Sequence, residues 1–450
     1  MIPLMMHSLS FVSTTRQRSP IKPLHTLPLF LALFATVFTT LFFRVDAIAI
    51  TPQPGTMTSG TPLILAMDRT ETLDATAAMD SLASDSVASD SLAAPDPDRP
   101  WDVTEHRAPY KEIAFETDEG TWMNLDISPD GKEIVFDMLG NIYIMPAEGG
   151  EARPLRESIA YELQPRFSPD GTKISFTSDA GGGDNIWVMN RDGSGAKQVT
   201  SETFRLLNNA DWTPDSQYLI ARKHFTSGRS LGTGELWMYH ITGGSGIQLT
   251  ERPNAQQDVG QPVLSPDGRY VYYSQDVYPG GYFQYNKDPN SQIYVIRRYD
   301  RETGDIDQIT GGPGGAISPT PSPDGRHLAF VRRVRTQSVL FVRDLETGIE
   351  RPVYDEMSLD QQQAWAIFGP YTNMAWTPDS KHLLFWAKGK IRSLDLATLD
   401  ASVIPFTLTM KQQLAEPVAF DYDPAPDTFT ARAVRHVRTS PDGSHVIFNA

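Results

Sequence analysis

Arg222-Lys223-His224, followed by a Gly-rich stretch from Gly228 to Gly234 that holds Arg229, is the strongest cluster of binding-type residues in the chain. In a protein of net charge −16, three adjacent basic residues beside a flexible loop suit the capture of an anionic group. The plainer reading is a solvated strand end with a loop. Catalytic constellations are harder to find. A zinc hydrolase site needs His-x-His with further His and Asp ligands, and none of the nine histidines is so paired. His327, His382 and His445 fall at matching places in a repeat, which a surface position explains better than a metal site. Gly193-Ser194-Gly195 and Gly244-Ser245-Gly246 lack the Gly-x-Ser-x-Gly of a nucleophile elbow. Asp179 and Asp184 bracket three glycines and could offer carboxylates to Ca²⁺, but two fall short of a full shell, so a hairpin loop is the better assignment. Cysteine is absent, which removes disulfides, thiolate metal sites and thiol catalysis. No catalytic or metal-binding residue is therefore assigned. The binding candidates are Arg222, Lys223, His224 and Arg229, with the aromatic loop Tyr278 to Tyr285 as a second exposed surface for a partner or domain interface, or for self-packing.

These residues ride on a repeat. Ser128-Pro129-Asp130-Gly131 recurs at Ser168, Thr213, Ser265, Ser322, Thr377 and Ser440, with prolines 40 to 63 residues apart. Pro pre-sets φ at the first corner of a tight turn, Asp bonds nearby amides, and Gly takes positive φ without steric cost. The Thr213 and Thr377 repeats end in Ser216 and Ser380, where a Cβ makes the turn less comfortable.

Around each turn the pattern is regular. A short apolar segment precedes it (Leu125-Asp126-Ile127, Asp211-Trp212, Ala375-Trp376), and an alternating strand follows (Ile134-Val135-Phe136, Ile174-Ser175-Phe176). A third strand (Asn141 to Ile144, Asn185 to Val188), a Gly-rich turn and a fourth strand complete the unit. This is a four-stranded antiparallel meander, apolar on both faces, which only stacked neighbours can bury. The fold class is all-β: a β-propeller of four-stranded blades, six or more in number, the last one truncated. Because the seventh repeat halts after its second strand, residues 101–450 read as a C-terminally incomplete propeller and as the front part of a longer product. Lys111–Thr117 could lend one missing outer strand by circular closure.

Ahead of the repeat, Arg16, Arg18 and Lys22 precede an uncharged stretch from Leu27 to Phe43, with small residues near Ala47. That order predicts an export signal over residues 1–47, cleaved or retained as an anchor, with no membrane span after cleavage. Residues 48–100 are Ser/Ala/Asp-rich with little to bury and read as a disordered acidic linker. The expected location is the periplasm or the exterior. A surface this acidic repels polyanions, so nucleic acid is not an expected partner.

The SPDG and TPDS repeats, with their Asn-Ile-Trp or Asn-Ile-Tyr strands, resemble the PD40, or TolB-like, propeller repeat from Leu125 to Ala450. The segments Asp118 to Asp126 (DEGTWMNLD), Gly181 to Trp187 (GGGDNIW) and Arg222 to Phe225 with Gly228 to Gly234 look like the N-terminal propeller of large exported amidohydrolase-family proteins. That resemblance implies a recognition or scaffold module whose partner is its own C-terminal metal-dependent barrel. It implies no cofactor in the present chain, a divalent metal such as zinc belonging only to that further domain. A stand-alone TolB-like propeller docking periplasmic proteins is the alternative.

Overall fold

In the computed structural model, residues 103–104, 109–226, 232–278, 287–288, 290–358, 371–416, 423, 425, 427–428, 430 and 433–449 are described. The expected leader (1–47) and linker (48–100), Arg229, and the Tyr278 to Tyr285 loop beyond Tyr278 lie outside them. Every element among the described residues is a strand, and no helix there is long and apolar enough to cross a membrane.

After β1 (Tyr110–Thr117), six four-stranded antiparallel sheets follow in chain order within the unit spanning residues 90–450. Blade one is β2 (Leu125–Ile127), β3 (Glu133–Met138), β4 (Asn141–Pro146) and β6 (Arg153–Arg156), with the two-residue β5 (Gly150–Glu151) in the last hairpin. Blade two is β7 (Glu162–Phe167), β8 (Lys173–Ser178), β9 (Asn185–Asn190) and β10 (Lys197–Gln198). Blade three is β11 (Leu207–Trp212), β12 (Tyr218–Thr226), β13 (Gly232–His240) and β14 (Gly243–Gln248). Blade four is β15 (Val259–Leu264), β16 (Tyr270–Asp276), β17 (Tyr294–Asp300) and β18 (Ile306–Gln308). Blade five is β19 (Ile317–Pro321), β20 (His327–Val334), β21 (Gln337–Asp344) and β22 (Glu350–Tyr354). Blade six is β23 (Ala375–Trp376), β24 (His382–Ala387), β25 (Lys390–Asp395) and β26 (Ala401–Val403). Each is the predicted meander.

The turn between the first two strands owes as much to its first residue as to Pro, Asp and Gly. The Ser128 hydroxyl donates to Asp130 Oδ1 at 2.6 Å and accepts the amide of Glu133 at 3.0 Å, while Gly131 N–H closes on Ser128 O at 2.8 Å. Thr213 repeats the arrangement with Asp215 and Tyr218. That pivot role of Ser or Thr was not drawn from the sequence. Ser216 and Ser380 do take positive φ, 57° and 59°. Their cost is offset across the blade junction: Ser216 Oγ accepts the amide of Asp170 at 3.2 Å, and Ser380 Oγ that of Asp324 at 3.0 Å.

Apolar cores fill the spaces between successive blades, and the same kind of core joins blade six to blade one. Leu125, Phe136 and Tyr143 pack there with Leu384, Trp386 and Ile391. The Trp386 indole donates to Gly120 O at 2.8 Å, and Pro378 sits over Gly131, where a Cβ would meet its ring at 3.6 Å. The ring is thus closed by six complete blades, without a strand shared between the chain ends. β27 (Phe406–Ala415) then clasps the seam. It pairs antiparallel with β1 and, through Phe406 and Thr407, parallel with β5, burying Phe406, Leu408 and Met410 in the same core. Lys111–Thr117 therefore does not serve the seventh repeat, as circular closure would have required. It lies on β27 because the alternating buried face of that strand already covers blade one. The seventh repeat forms a separate exposed hairpin, β28 (Arg435–Thr439) with β29 (Val446–Asn449).

Candidate functional site

The innermost strands meet at a channel, and repeat-equivalent positions decide what lines it. Four residues before each turn's hydroxyl stand Asn124, Gln164, Asn209, Gln261, Ser318 and Asn373, all polar. Gln164, Asn209, Gln261 and Ser318 have φ between 53° and 60°, each at a break in its strand's register. That bulge turns a backbone amide toward the neighbouring blade, and a side chain there accepts it. Gln164 Oε1 takes Asn209 N–H, Gln261 Oε1 takes Ser318 N–H and Asn124 Oδ1 takes Asn373 N–H, each at 2.9 Å. The result is a hydrogen-bonded girdle that ties blade to blade. Asn209 Oδ1, buried and on the channel wall, has no partner among the described atoms.

Nearer the turns the channel carries charge. Asp126, Arg166 and Asp211 stand two residues before their turns. Asp126 Oδ2 accepts Phe167 N–H at 2.8 Å and Asp211 Oδ2 accepts Leu264 N–H at 2.7 Å, each from the next blade. Arg166 lies between them, 3.7 Å from Asp126 Oδ1 and donating to Met374 O at 3.2 Å. Burial pushes Asp126 up to about 6 and raises Asp211, with the Arg166 charge opposing both shifts.

At the opposite end of the girdle a recess opens between blades one and two. Trp122, Asn124, Asp137, Tyr161 and Gln164 line it, around about 630 Å³ of space including its mouth. Trp122 and Tyr161 remain 41% and 59% exposed, so both rings face the space above the site. Trp122 leans on Trp386 with ring centres 5.4 Å apart, and Tyr161 lies against Gly140, where a Cβ would be 2.7 Å from its ring. On the floor, Asp137 accepts Asn124 N–H (2.8 Å), Asn124 Nδ2 (2.7 Å) and Gln164 N–H (2.6 Å). Burial pushes this carboxyl up to about 7 against those three donors. Sequence reading missed this site. Asp137 sits in an alternating strand like any other, and only its place nine residues after Ser128, the place held by Thr177 and Ser274 in blades two and four, hints at a channel-side role.

The basic cluster comes out differently from expectation. Arg222 has no exposure at all: its Nη2 lies 2.6 Å from Asp258 Oδ2 and its Nε donates to Val259 O at 2.9 Å, so it ties blade three to blade four. His224 Nδ1 accepts from Arg222 Nη2 at 2.7 Å, which leaves the ring hydrogen on Nε2, and burial beside that guanidinium pushes the imidazole down to about 4. Lys223 points to the other face, ion-paired with Glu202 and 4.2 Å from the Trp237 ring centre. Alternation along β12 splits the trio between two blade junctions and buries it, so these three do not form a solvent-facing anion receptor. His327, His382 and His445 each donate a backbone amide to the turn hydroxyl, as equivalent positions should. The Asp179–Asp184 loop is a hairpin in which Asp179 Oδ1 takes Tyr161 N–H at 2.8 Å. Among the described residues, no three His, Asp or Glu side chains gather as a metal site.

Comparison with known proteins agrees with this architecture. Residues 118–284 match the family described as PD40, TolB beta propeller domain, and the observed fold is a β-propeller of four-stranded blades. An uncharacterized protein of Agrobacterium fabrum is 27% identical over 46% of this chain and 68% of its own length. An uncharacterized peptidase of Bacillus subtilis is 28% identical over 42% of this chain, and the match spans 24% of that peptidase. Among solved structures, TolB from Acinetobacter baumannii is similar with a TM-score of 0.47 and 14% identity, over 64% of this chain and 65% of that one.

Proposed function

We propose that this TolB-like propeller is the recognition and scaffold module of an exported hydrolase, in which it frames access to a catalytic domain of the metal-dependent amidohydrolase type. The observation that carries the recognition role is the recess between blades one and two. Two exposed aromatic rings and a buried carboxylate share one concave site on a rigid ring, the composition expected of a ligand pocket. The hydrolase context rests on the resemblance of the Asp118–Asp126 and Gly181–Trp187 segments and on the peptidase among the relatives. A divalent metal such as zinc would be held by the catalytic domain that the resemblance implies. The N-terminal basic-then-apolar stretch supports export to the periplasm or beyond.

The test is to express the product of the whole gene and assay amide hydrolysis with and without added zinc. Zinc-dependent hydrolysis by that product, absent from residues 101–450 alone, supports the reading. A product that ends with the propeller and hydrolyses nothing sinks it in favour of a stand-alone binding module.

A further inference from the structure

We propose that the recess above Asp137 binds a protonated amine, with Asp137 as its counter-ion and Trp122 and Tyr161 as its aromatic walls. This names the ligand class of the recess described above and rests on that recess being a recognition site.

The first ground is a buried carboxyl with no cation partner. Other buried carboxylates of this ring close on cations: Glu162 on Arg156 at 2.9 Å, Asp258 on Arg222 at 2.6 Å, and Asp276 on Lys287 at 2.5 Å. Asp137 is 3% exposed, yet it is held only by N–H donors of Asn124 and Gln164 and forms no ion pair with a described residue. A buried carboxylate without a cation is costly, and a bound ammonium removes that cost. Two of its three donors fall on Oδ2 and one on Oδ1, so Oδ1 keeps a free acceptor direction.

The second ground is the repeat. At the equivalent place, Thr177 donates to Gln164 Oε1 at 3.1 Å and Ser274 donates to Gln261 Oε1 at 2.8 Å, both neutral hydroxyls. The girdle therefore does not need a charge there. Where blade three does carry one, at Arg222, the fold supplies Asp258 to match it. Blade one carries an ionisable carboxyl with no cation beside it among the described residues, next to the two exposed rings.

The walls fit the same ligand. The negative faces of Trp and Tyr attract a cation, Trp most strongly. Its cavity volume of about 200 Å³ lies below the roughly 300–1,000 Å³ of drug-sized ligand sites and suits a small alkylammonium group. A net charge of −16 raises the local concentration of cations around the whole protein.

The experiment uses the full chain labelled with 5-fluorotryptophan, its Trp122 ¹⁹F resonance assigned with Trp122→Phe. Butylammonium is titrated at constant ionic strength, with 1-butanol as the neutral isostere. The expected result is a saturable shift of the Trp122 resonance with the amine and a response at least about tenfold weaker with the alcohol. Asp137→Asn should abolish the preference while the other tryptophan resonances stay in place, and Trp122→Leu, at an exposed position, should weaken amine binding about tenfold by calorimetry. Equal response to amine and alcohol overturns the ammonium assignment but leaves the recess as a binding site. Undiminished amine binding by Asp137→Asn, or no saturable shift at all, overturns the proposal outright. The hydrolase context is decided separately by the zinc-dependent assay.

Discussion

Arg222 Nη2 lies 2.6 Å from Asp258 Oδ2, and the two residues come from different blades, 36 positions apart in the chain. The pair is buried, and together with the Arg222 bond to Val259 O it spans the junction between blades three and four. At three other junctions a side-chain amide does the same work: Gln164, Gln261 and Asn124 accept a backbone N–H from the adjoining blade. A buried ion pair thus replaces one link of a neutral girdle.

Removing one partner of that pair should be severe. Asp258→Ala removes the carboxylate that faces the buried Arg222 guanidinium and should lower unfolding free energy by about 3–5 kcal/mol in urea denaturation. Arg222→Met, which leaves a carboxyl able to take up a proton, should cost less. If the two variants lose the same small amount, below about 1 kcal/mol, the pair is not the link described.

At the turn face, Ser216→Ala deletes the acceptor for Asp170 N–H and should cost about 1 kcal/mol. Gly268→Ala should cost more, roughly 2 kcal/mol or above. Its φ is +72°, and a Cβ would stand 2.8 Å from the Pro214 ring of the preceding blade. Thermal melts of the two variants side by side check the order.

Asp137 gives a pH signature with a definite sign. Its carboxyl is pushed up to about 7 by burial, from an ordinary value of 3.8. The folded state therefore holds a proton that the unfolded chain releases above about pH 4. The stability this proton confers is present below pH 4 and is lost as pH rises towards 7. Asp137→Asn cannot titrate, so the variant should gain on the wild type between pH 4 and pH 8 in melting temperature. A constant difference across that range would show that Asp137 does not titrate as burial demands.

The clasp at the seam is testable through Phe406, whose ring centre lies 5.4 Å from that of Phe136. Phe406→Ala should cost about 3–5 kcal/mol and expose β1 to amide exchange before the blades themselves open. Simultaneous loss of protection in β1 and in blade three would show that the clasp is not a separable element.

The blades were legible in the residues because their causes are local. A Pro-Asp-Gly corner, two-residue alternation and Gly-rich hairpins each act within about ten positions, so the meander and the stacked ring follow from the chain order. The Ser216 and Ser380 turns show the limit of that reasoning. Their positive φ was foreseen, whereas the hydroxyl bonds to Asp170 and Asp324 that offset it come from the neighbouring blade.

Tertiary structure alone decided which polar residues are satisfied. Arg222-Lys223-His224 looks like one basic patch in a linear reading, but the strand sends its members to opposite faces, and Asp258 and Glu202 meet them there. Asp137 looks like an ordinary strand residue, but ring closure buries it beside Gln164 without a cation and leaves Trp122 and Tyr161 open above it. The chain order records which residues carry charge. Whether a charge is spent inside the fold or left for a ligand depends on residues tens of positions away, brought together only when the six blades close.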